Sequence, residues 1–417
     1  MHSGRSSGCM NRRLRVEKLP SREHDFCSKL RQASVVERLR AYISWQRSGA
    51  PPDGIPPFGP LSINLDLTSA CNFACPHCVD SGIINTGESI QLSDIRGSLE
   101  TLKQRGLLSV ILIGGGEPTL HRDFEEVVCF SKKLGLQVGI VTNGTRLDRV
   151  ASVAERLEPK DWLRLSVDAG TRETFIKAHR PRVTADLHAI LQNAHDIKKA
   201  HPAISLGYSF VIVWDGIEAG GHVLDPNIDE MVSAVHLAVQ YGFDYVSFKP
   251  CLVRLEGSGR ESLLNETAEE RQARLSAALR KNLDLAQAAA GGRIAILQSV
   301  NLQALLAGKV DELKTQPRIC HMQYFRTVLA PAGIYHCPAF RGIENARLAG
   351  AGGYADSGCF DATSAELARS IFSFDAAHEC REVACFYNHA NRELEHLIAG
   401  SCAPMDIVPL EDDNFFL

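Results

Sequence analysis

An α/β fold built on a parallel sheet is the class this sequence predicts, and three observations carry that expectation. Between residues 61 and 250, six short β-rich runs alternate with longer helix-compatible stretches, the pattern of successive βαβ units covered by helices. Four segments rich in cysteine, glycine or small polar residues fall at or just after the ends of these runs, where parallel α/β folds gather their chemistry. The last hundred residues break the rhythm, with cysteines returning amid glycine-rich connections.

Taken in order, residues 1 to about 20 read as a polar arm, and 22–48, "REHDFCSKLRQASVVERLRAYISWQRS", carry helix formers without proline or glycine. The turn-rich "GAPPDGIPPFGP" separates this helix from the first β-rich run. The predicted strands are "LSINLDLT" (61–68), "SVILIGG" (109–115), "QVGIVTN" (137–143), "WLRLSVD" (162–168), "SLGYSFVIVW" (205–214) and "YVSFKP" (245–250). Periodicity by itself allows an open doubly wound sheet or a full or partial barrel. From about 255 to 310 the pattern is mostly helical, with "NETAEERQARLSAALRKNLDLAQAAA" as an amphipathic helix and "GGRIAILQ" as an extra strand. A boundary near 310–318 divides the chain into an arm and helix (1–57), an α/β unit (58–312) and a cysteine-bearing region (313–417). The acidic "EDDNFF" predicts a solvated tail.

Composition narrows the function. The 417 residues are 45% hydrophobic and 23% charged with a net charge of −4, which lacks the basic excess of a nucleic-acid binder. The basic start has no apolar run of signal-peptide type, and no stretch approaches the roughly twenty apolar residues of a membrane span. Thirteen cysteines, an odd number in a long chain, point to a reducing compartment and to metal or redox use, so a cytoplasmic location is expected.

"SACNFACPHCVD" (69–80) places Cys71, Cys75 and Cys78 within eight positions and is followed by no further cysteine for about fifty residues. A structural zinc site wants four closed ligands, commonly as two pairs, and His77 is too close to its neighbours to point at the same ion. Three thiolates suit a 4Fe-4S cluster that keeps one iron for another ligand. Cys71-x3-Cys75-x2-Cys78 after the first strand, with "GGGEP" after the second, resembles the radical S-adenosylmethionine (radical SAM) enzymes over roughly residues 58–252. The resemblance implies a partial (β/α)6 radical SAM barrel with Cys71, Cys75 and Cys78 on the SAM-binding cluster. It also implies cleavage of SAM to a 5′-deoxyadenosyl radical that abstracts hydrogen from a substrate, and a reducing partner such as flavodoxin or ferredoxin.

The same resemblance implies the SAM contacts. His77 takes the place of the family's usual aromatic beside the adenine. Gly114, Gly115 and Gly116 let the backbone approach the ligand, Glu117 and Pro118 complete the motif, and Asn143, Ser166 and Asp168 are candidates for the carboxylate and ribose. For these last three an ordinary turn or helix cap is the competing reading. Val211 to Val213 would meet the adenine through their backbone.

"CHMQYFRTVLAPAGIYHC" joins Cys320 to Cys337 through an expected hairpin, and Cys380 and Cys385 follow. This region resembles the smaller C-terminal extension called SPASM, or twitch in its short form, which holds auxiliary iron-sulfur clusters. A full SPASM extension uses seven cysteines for two clusters and six occur here, so one auxiliary 4Fe-4S cluster on Cys320, Cys337, Cys380 and Cys385 is the expectation. Cys359 and Cys402 are left over, and zinc at this site stays open.

Cys251, in "SFKPCLVR", ends the sixth strand and is either a hydrogen donor, which would make an epimerase, or a packed core thiol. Lys249 beside it is a candidate for proton transfer or substrate orientation. "HRPR" (179–182) is a basic anchor or a helix end. The roughly 57 residues before the barrel look short for a leader-peptide-binding domain. The expected substrate is therefore a small polar molecule such as an aminosugar or cyclitol, oxidised through the auxiliary cluster. A peptide maturase and a Cys251-dependent epimerase are the alternatives. A non-catalytic iron or zinc regulator is a third class, set apart by forming no 5′-deoxyadenosine.

Overall fold

The computed structural model describes residues 25–50, 54–255, 257–264 and 269–412. The polar arm over 1–20 and the last five residues of the acidic tail lie outside the described residues.

The expected N-terminal helix is two, Phe26–Leu30 and Val36–Arg47. Between them the backbone leaves the helical pattern to pair with the far end of the chain: Ala33 N–H donates to Leu410 O (3.0 Å) and Leu410 N–H to Arg31 O (2.8 Å). Those groups are satisfied across the molecule, so the break costs no hydrogen bonds.

The strands are β1 (Ser62–Leu65), β2 (Ser109–Leu112), β3 (Gln137–Thr142), β4 (Trp162–Ser166), β5 (Ser205–Ile212), β6 (Glu218–Ala219), β7 (His222–Val223), β8 (Tyr245–Pro250), β9 (Leu252–Arg254), β10 (Glu261–Leu263), β11 (Ala295–Gln298), β12 (Arg326–Ala330), β13 (Gly333–Tyr335) and β14 (Arg347–Ala349). Ten form one sheet in the order β11-β8-β5-β4-β3-β2-β1-β12-β13-β14, while β6/β7 and β9/β10 are short antiparallel ribbons. Pairing is parallel from β11 through β12 and antiparallel beyond it. A doubly wound sheet reverses its strand order part-way; here β1-β2-β3-β4-β5-β8 follow one another without reversal, the winding of a barrel opened on one side.

Every residue of β1 ("SINL") and β2 ("SVIL") is buried, as expected of parallel strands covered on both faces. The covering helices are amphipathic. Leu187–Ala200 buries Leu187, Ile190, Leu191, Ala194 and Ile197, a stripe of helical period. Asp186 caps it by accepting from Ala189 N–H (3.0 Å), and Lys198 and Lys199 meet the negative end of its dipole. Each large aliphatic buried this way contributes about 1.5–3 kcal/mol.

The hairpin expected between Cys320 and Cys337 is β12 and β13, and "GGRIAILQ" supplies β11. The hairpin is not a separate layer. β12 lies parallel to β1, with Ser62 opposite Arg326 and Leu65 opposite Leu329, so the cysteine-bearing region continues the same sheet beside the strand that leads into Cys71.

Candidate functional site

Beyond β1 the chain runs directly into the three-cysteine loop. Cys71 N–H donates to Asn85 Oδ1 (2.8 Å) and Cys78 N–H to Cys75 O (3.1 Å), which fixes the loop that carries three half-buried thiols. Burial pushes all three thiols up, Cys78 to about 12, and for Cys75 the nearby Cys78, Asp168 and Cys71 add to the rise. Thiols in this state ionise only when a bound cation compensates. His179, 2% exposed, sets Nδ1 3.2 Å from Cys75 Sγ and Nε2 2.8 Å from Val167 O. "HRPR" allowed a basic anchor or a helix end, and helix Arg172–His179 does end there, but no spacing rule connects residue 179 with residue 75.

The glycine loop after β2 lies against the segment leading into Cys71. Gly114 has φ +81°, and a Cβ on it would stand 2.5 Å from Asp66 Oδ1. Glu117 N–H donates to Ala70 O (2.8 Å). The Glu117 carboxylate is committed internally, accepting from Thr119 N–H (3.1 Å), Thr119 Oγ1 (2.6 Å), Thr142 Oγ1 (2.7 Å) and Asn143 N–H (2.7 Å). Its side chain therefore bolts the loop after β2 to the end of β3, which leaves ligand contact at Glu117 to its backbone. Pro118 opens the 3-10 turn Pro118–Leu120.

Asn143 is also engaged at both ends of its amide: Nδ2 donates to Asn72 Oδ1 (2.8 Å), and Oδ1 accepts from Thr145 N–H (3.0 Å) and Oγ1 (2.7 Å). Ser166 sits half-buried at the end of β4. Asp168 adopts a left-handed φ of +54°, a cost paid where surrounding contacts over-determine a residue. Its Oδ1 accepts from Val211 N–H (2.7 Å), and its Oδ2 lies 3.5 Å from His77 Nε2. Burial works to raise this carboxyl, but His77 and His179 prevail and hold it below the usual carboxylate range.

Pro76, His77, Asp168, Val211, Val213 and Asn227 line one groove, which brings together four of the residues named from the resemblance, His77, Asp168, Val211 and Val213. Asn227 donates to Val211 O (2.8 Å) and accepts from Val213 N–H (2.8 Å), which fixes this stretch of backbone at the groove. Asn227 sits in an ordinary "DPNID" and had no sequence signal.

The second set of cysteines comes from three separate segments, before β12, after β13 and between helices Ala376–Glu379 and Asn388–Ala399. Cys320, Cys337, Cys380 and Cys385 line a single cavity walled otherwise largely by apolar side chains. Burial pushes all four thiols up, Cys385 to about 12, and for Cys337 the charges of Cys385 and Cys320 add to it. Asn391 Nδ2 donates to Cys320 Sγ (3.6 Å). Cys359 belongs to the start of helix Ser357–Ser373, where its N–H donates to Asp356 Oδ1 (2.8 Å), and Cys402 is exposed. Neither lines the cavity. Among the described residues no three His, Cys, Asp or Glu side chains converge closely enough for a single metal ion. A 4Fe-4S cluster binds each thiolate through a different iron, so it would draw on a more widely spaced set of thiols than a single ion does.

Comparison with known proteins identifies one domain. Residues 65–217 match the radical SAM superfamily. Those residues carry a radical SAM domain. The chain is 33% identical over 115 residues to an S-adenosylmethionine-dependent nucleotide dehydratase of Selenomonas ruminantium, and 37% identical over 119 residues to the mycofactocin maturase MftC of Mycobacterium tuberculosis. Each match covers 27% of this chain and only 41% and 29% of those relatives' own lengths. In fold the chain is similar to Streptococcus suis SuiB, solved bound to the precursor peptide SuiA, with a TM-score of 0.56, 16% identity, and 88% of this chain and 77% of that one covered. The likeness extends beyond the radical SAM domain into the C-terminal extension. No helix among the described residues is long and apolar enough to cross a membrane.

One buried guanidinium joins the two cysteine regions. Arg341, four residues after Cys337, lies 2.6 Å from Asp66 Oδ2 through Nε and donates through Nη1 to both oxygens of Asp80 (3.0 Å each). Burial opposes its charge, but Asp66 and Asp80 overcome this and hold it protonated. Cys251 is fully buried, its N–H donating to Ile212 O (2.9 Å) and its thiol to Leu252 O (3.5 Å), and burial pushes that thiol up to about 12. Lys249 is half-buried on β8.

Proposed function

We propose that this protein is a radical SAM peptide-modifying enzyme that oxidises its substrate with the help of an auxiliary cluster. The observation that carries the reading is the pair of thiol sets, three on the rim beside the glycine loop and four around one enclosed cavity. When bound, a 4Fe-4S cluster with one open iron would supply the electron that cleaves SAM to the hydrogen-abstracting 5′-deoxyadenosyl radical. Cys71, Cys75 and Cys78 would hold that cluster, and the backbone of Gly114 to Pro118 would bind the amino-acid end of SAM. His77, Asp168 and Val213 would flank the adenosine, and the adjoining walls would exclude water from a reactive intermediate.

Cys320, Cys337, Cys380 and Cys385 complete a ligand set by themselves, which suits electron transfer better than substrate binding. Cys251, packed with its thiol on a carbonyl, supports oxidation over hydrogen return. The maturase relative and a fold shared with a precursor-peptide enzyme favour a peptide as substrate. The nucleotide dehydratase relative favours the second reading, a small polar molecule.

The test is the formation of 5′-deoxyadenosine by reconstituted, dithionite-reduced protein supplied with SAM and either synthetic precursor-type peptides or a panel of nucleotides, aminosugars and cyclitols. A peptide should raise it at least about tenfold and lose two hydrogens in mass, with no solvent deuterium at the reacting carbon. Stimulation by the small molecules alone would reverse the substrate reading. No 5′-deoxyadenosine under any condition would return the chain to a binding role.

A further inference from the structure

The four-thiol cavity contains polar groups that the protein leaves without partners. His336, immediately before Cys337, is 2% exposed, and neither of its ring nitrogens has a hydrogen-bond partner. Tyr387, two residues after Cys385, is 2% exposed, and its hydroxyl has none either. Both side chains line the cavity together with Cys320, Cys337, Cys380 and Cys385. The imidazole is fixed by aromatic packing, with its centroid 4.5 Å from that of Phe374 in an edge contact and 6.1 Å from that of Phe340. Glu261 and Asn301 line the same cavity, yet His336 and Tyr387 bond to neither of them.

A buried donor without an acceptor costs about 1–3 kcal/mol, and native interiors rarely keep one unless a ligand or water completes it. A neutral imidazole offers one N–H and a phenol one O–H. What the two donors share with the cavity is sulfur, and the amide of Asn391 already shows the pattern by donating to Cys320 Sγ.

We infer that His336 and Tyr387 are positioning residues that donate hydrogen bonds to the sulfurs of the auxiliary cluster and thereby raise its reduction potential. The inference rests on the reading that this cavity holds a cluster. Reduction adds one negative charge to a centre already bound by four thiolates, and an apolar wall disfavours that charge. A donor directed at sulfur interacts more strongly with the reduced, more negative form, so it shifts the equilibrium toward reduction. The two residues would in this way make the site a better electron acceptor than its apolar lining alone permits, which is what oxidation of a substrate radical demands.

The experiment uses the full chain carrying Cys71→Ala, Cys75→Ala and Cys78→Ala, so that one cluster remains, and follows its one-electron reduction by electron paramagnetic resonance in a redox titration. His336→Phe and Tyr387→Phe should each make reduction about tenfold less favourable, a midpoint about 59 mV more negative, with iron content unchanged. His336→Gln, which retains an N–H, should recover most of the parent value. Unchanged midpoints in both phenylalanine variants with full iron would overturn the inference, and so would loss of the cluster from Tyr387→Phe, because deletion of one hydroxyl would then be acting on assembly. Absence of any cluster in the parent triple variant would instead overturn the underlying reading, and the inference with it.

Discussion

A methyl group on Gly116 would stand 2.4 Å from Thr68 O and 2.6 Å from Ala70 O, and backbone atoms cannot rotate aside. The loop after β2 and the segment feeding Cys71 thus meet at a distance that only glycine permits. Gly116→Ala should destabilise the protein by about 1–3 kcal/mol and weaken SAM binding. Gly82→Ala, where nothing lies within 4 Å of the added atom, is the control inside the cysteine loop. Denaturant midpoints and SAM titration of the two variants check this, and equal effects would remove the close approach from the explanation. Residues at this scale divide by how they work. The glycines announce themselves in the sequence because their chemistry is an absence of side chain. His179 and Asn227 act through distant partners, Cys75 for one and the Val211–Val213 backbone for the other, and sequence adjacency says nothing of that.

At the scale of elements, the β12–β13 hairpin and the turn after it attach the second cysteine region to the first. β12 extends the sheet beside β1, and Arg341 then reaches back to Asp66 at the end of β1 and Asp80 beside Cys78. Removing one member of such a buried set leaves uncompensated charge. Arg341→Met should therefore cost about 3–5 kcal/mol in urea unfolding, and adding Asp66→Asn should recover part of the loss. Purely additive destabilisation in the double variant would mean that Arg341 acts through packing alone. The strands themselves were legible: each of the six β-rich runs contains a strand, because β-branched runs bounded by turn residues carry their own signal. The break between Phe26–Leu30 and Val36–Arg47 was not, since its cause is a pairing with residue 410.

For the whole molecule, two clusters make a stoichiometric prediction. Reconstituted protein should hold about eight irons per chain, falling to about four when Cys320 and Cys337 are replaced by Ala, and to about four with no 5′-deoxyadenosine when Cys71, Cys75 and Cys78 are. Iron and zinc analysis of the three proteins decides it. Zinc in the second site, or four irons in the intact protein, would leave the oxidation step without an electron acceptor.

What the sequence by itself determined is whatever a short stretch of chain can encode. Cys71, Cys75 and Cys78 lie within one loop, so their spacing alone was enough to suggest a three-thiol ligand set. "GGGEP" likewise carries its backbone geometry in its own composition, and the alternation of strands and helices set the fold class. Only the tertiary structure decided which distant groups meet. Cys320, Cys337, Cys380 and Cys385 share a cavity because β12, β13 and the segment before the last helix pack together, while Cys359 and Cys402, equal candidates by residue type, are carried elsewhere. The same packing consumes the side chains of Glu117 and Asn143 in internal bonds, buries Cys251, and brings Arg341 to Asp66 across the sheet. The reason is physical: a local motif is specified by bond geometry over a few residues, whereas a site closed across sixty is specified by the burial of everything between, which no single stretch of sequence contains.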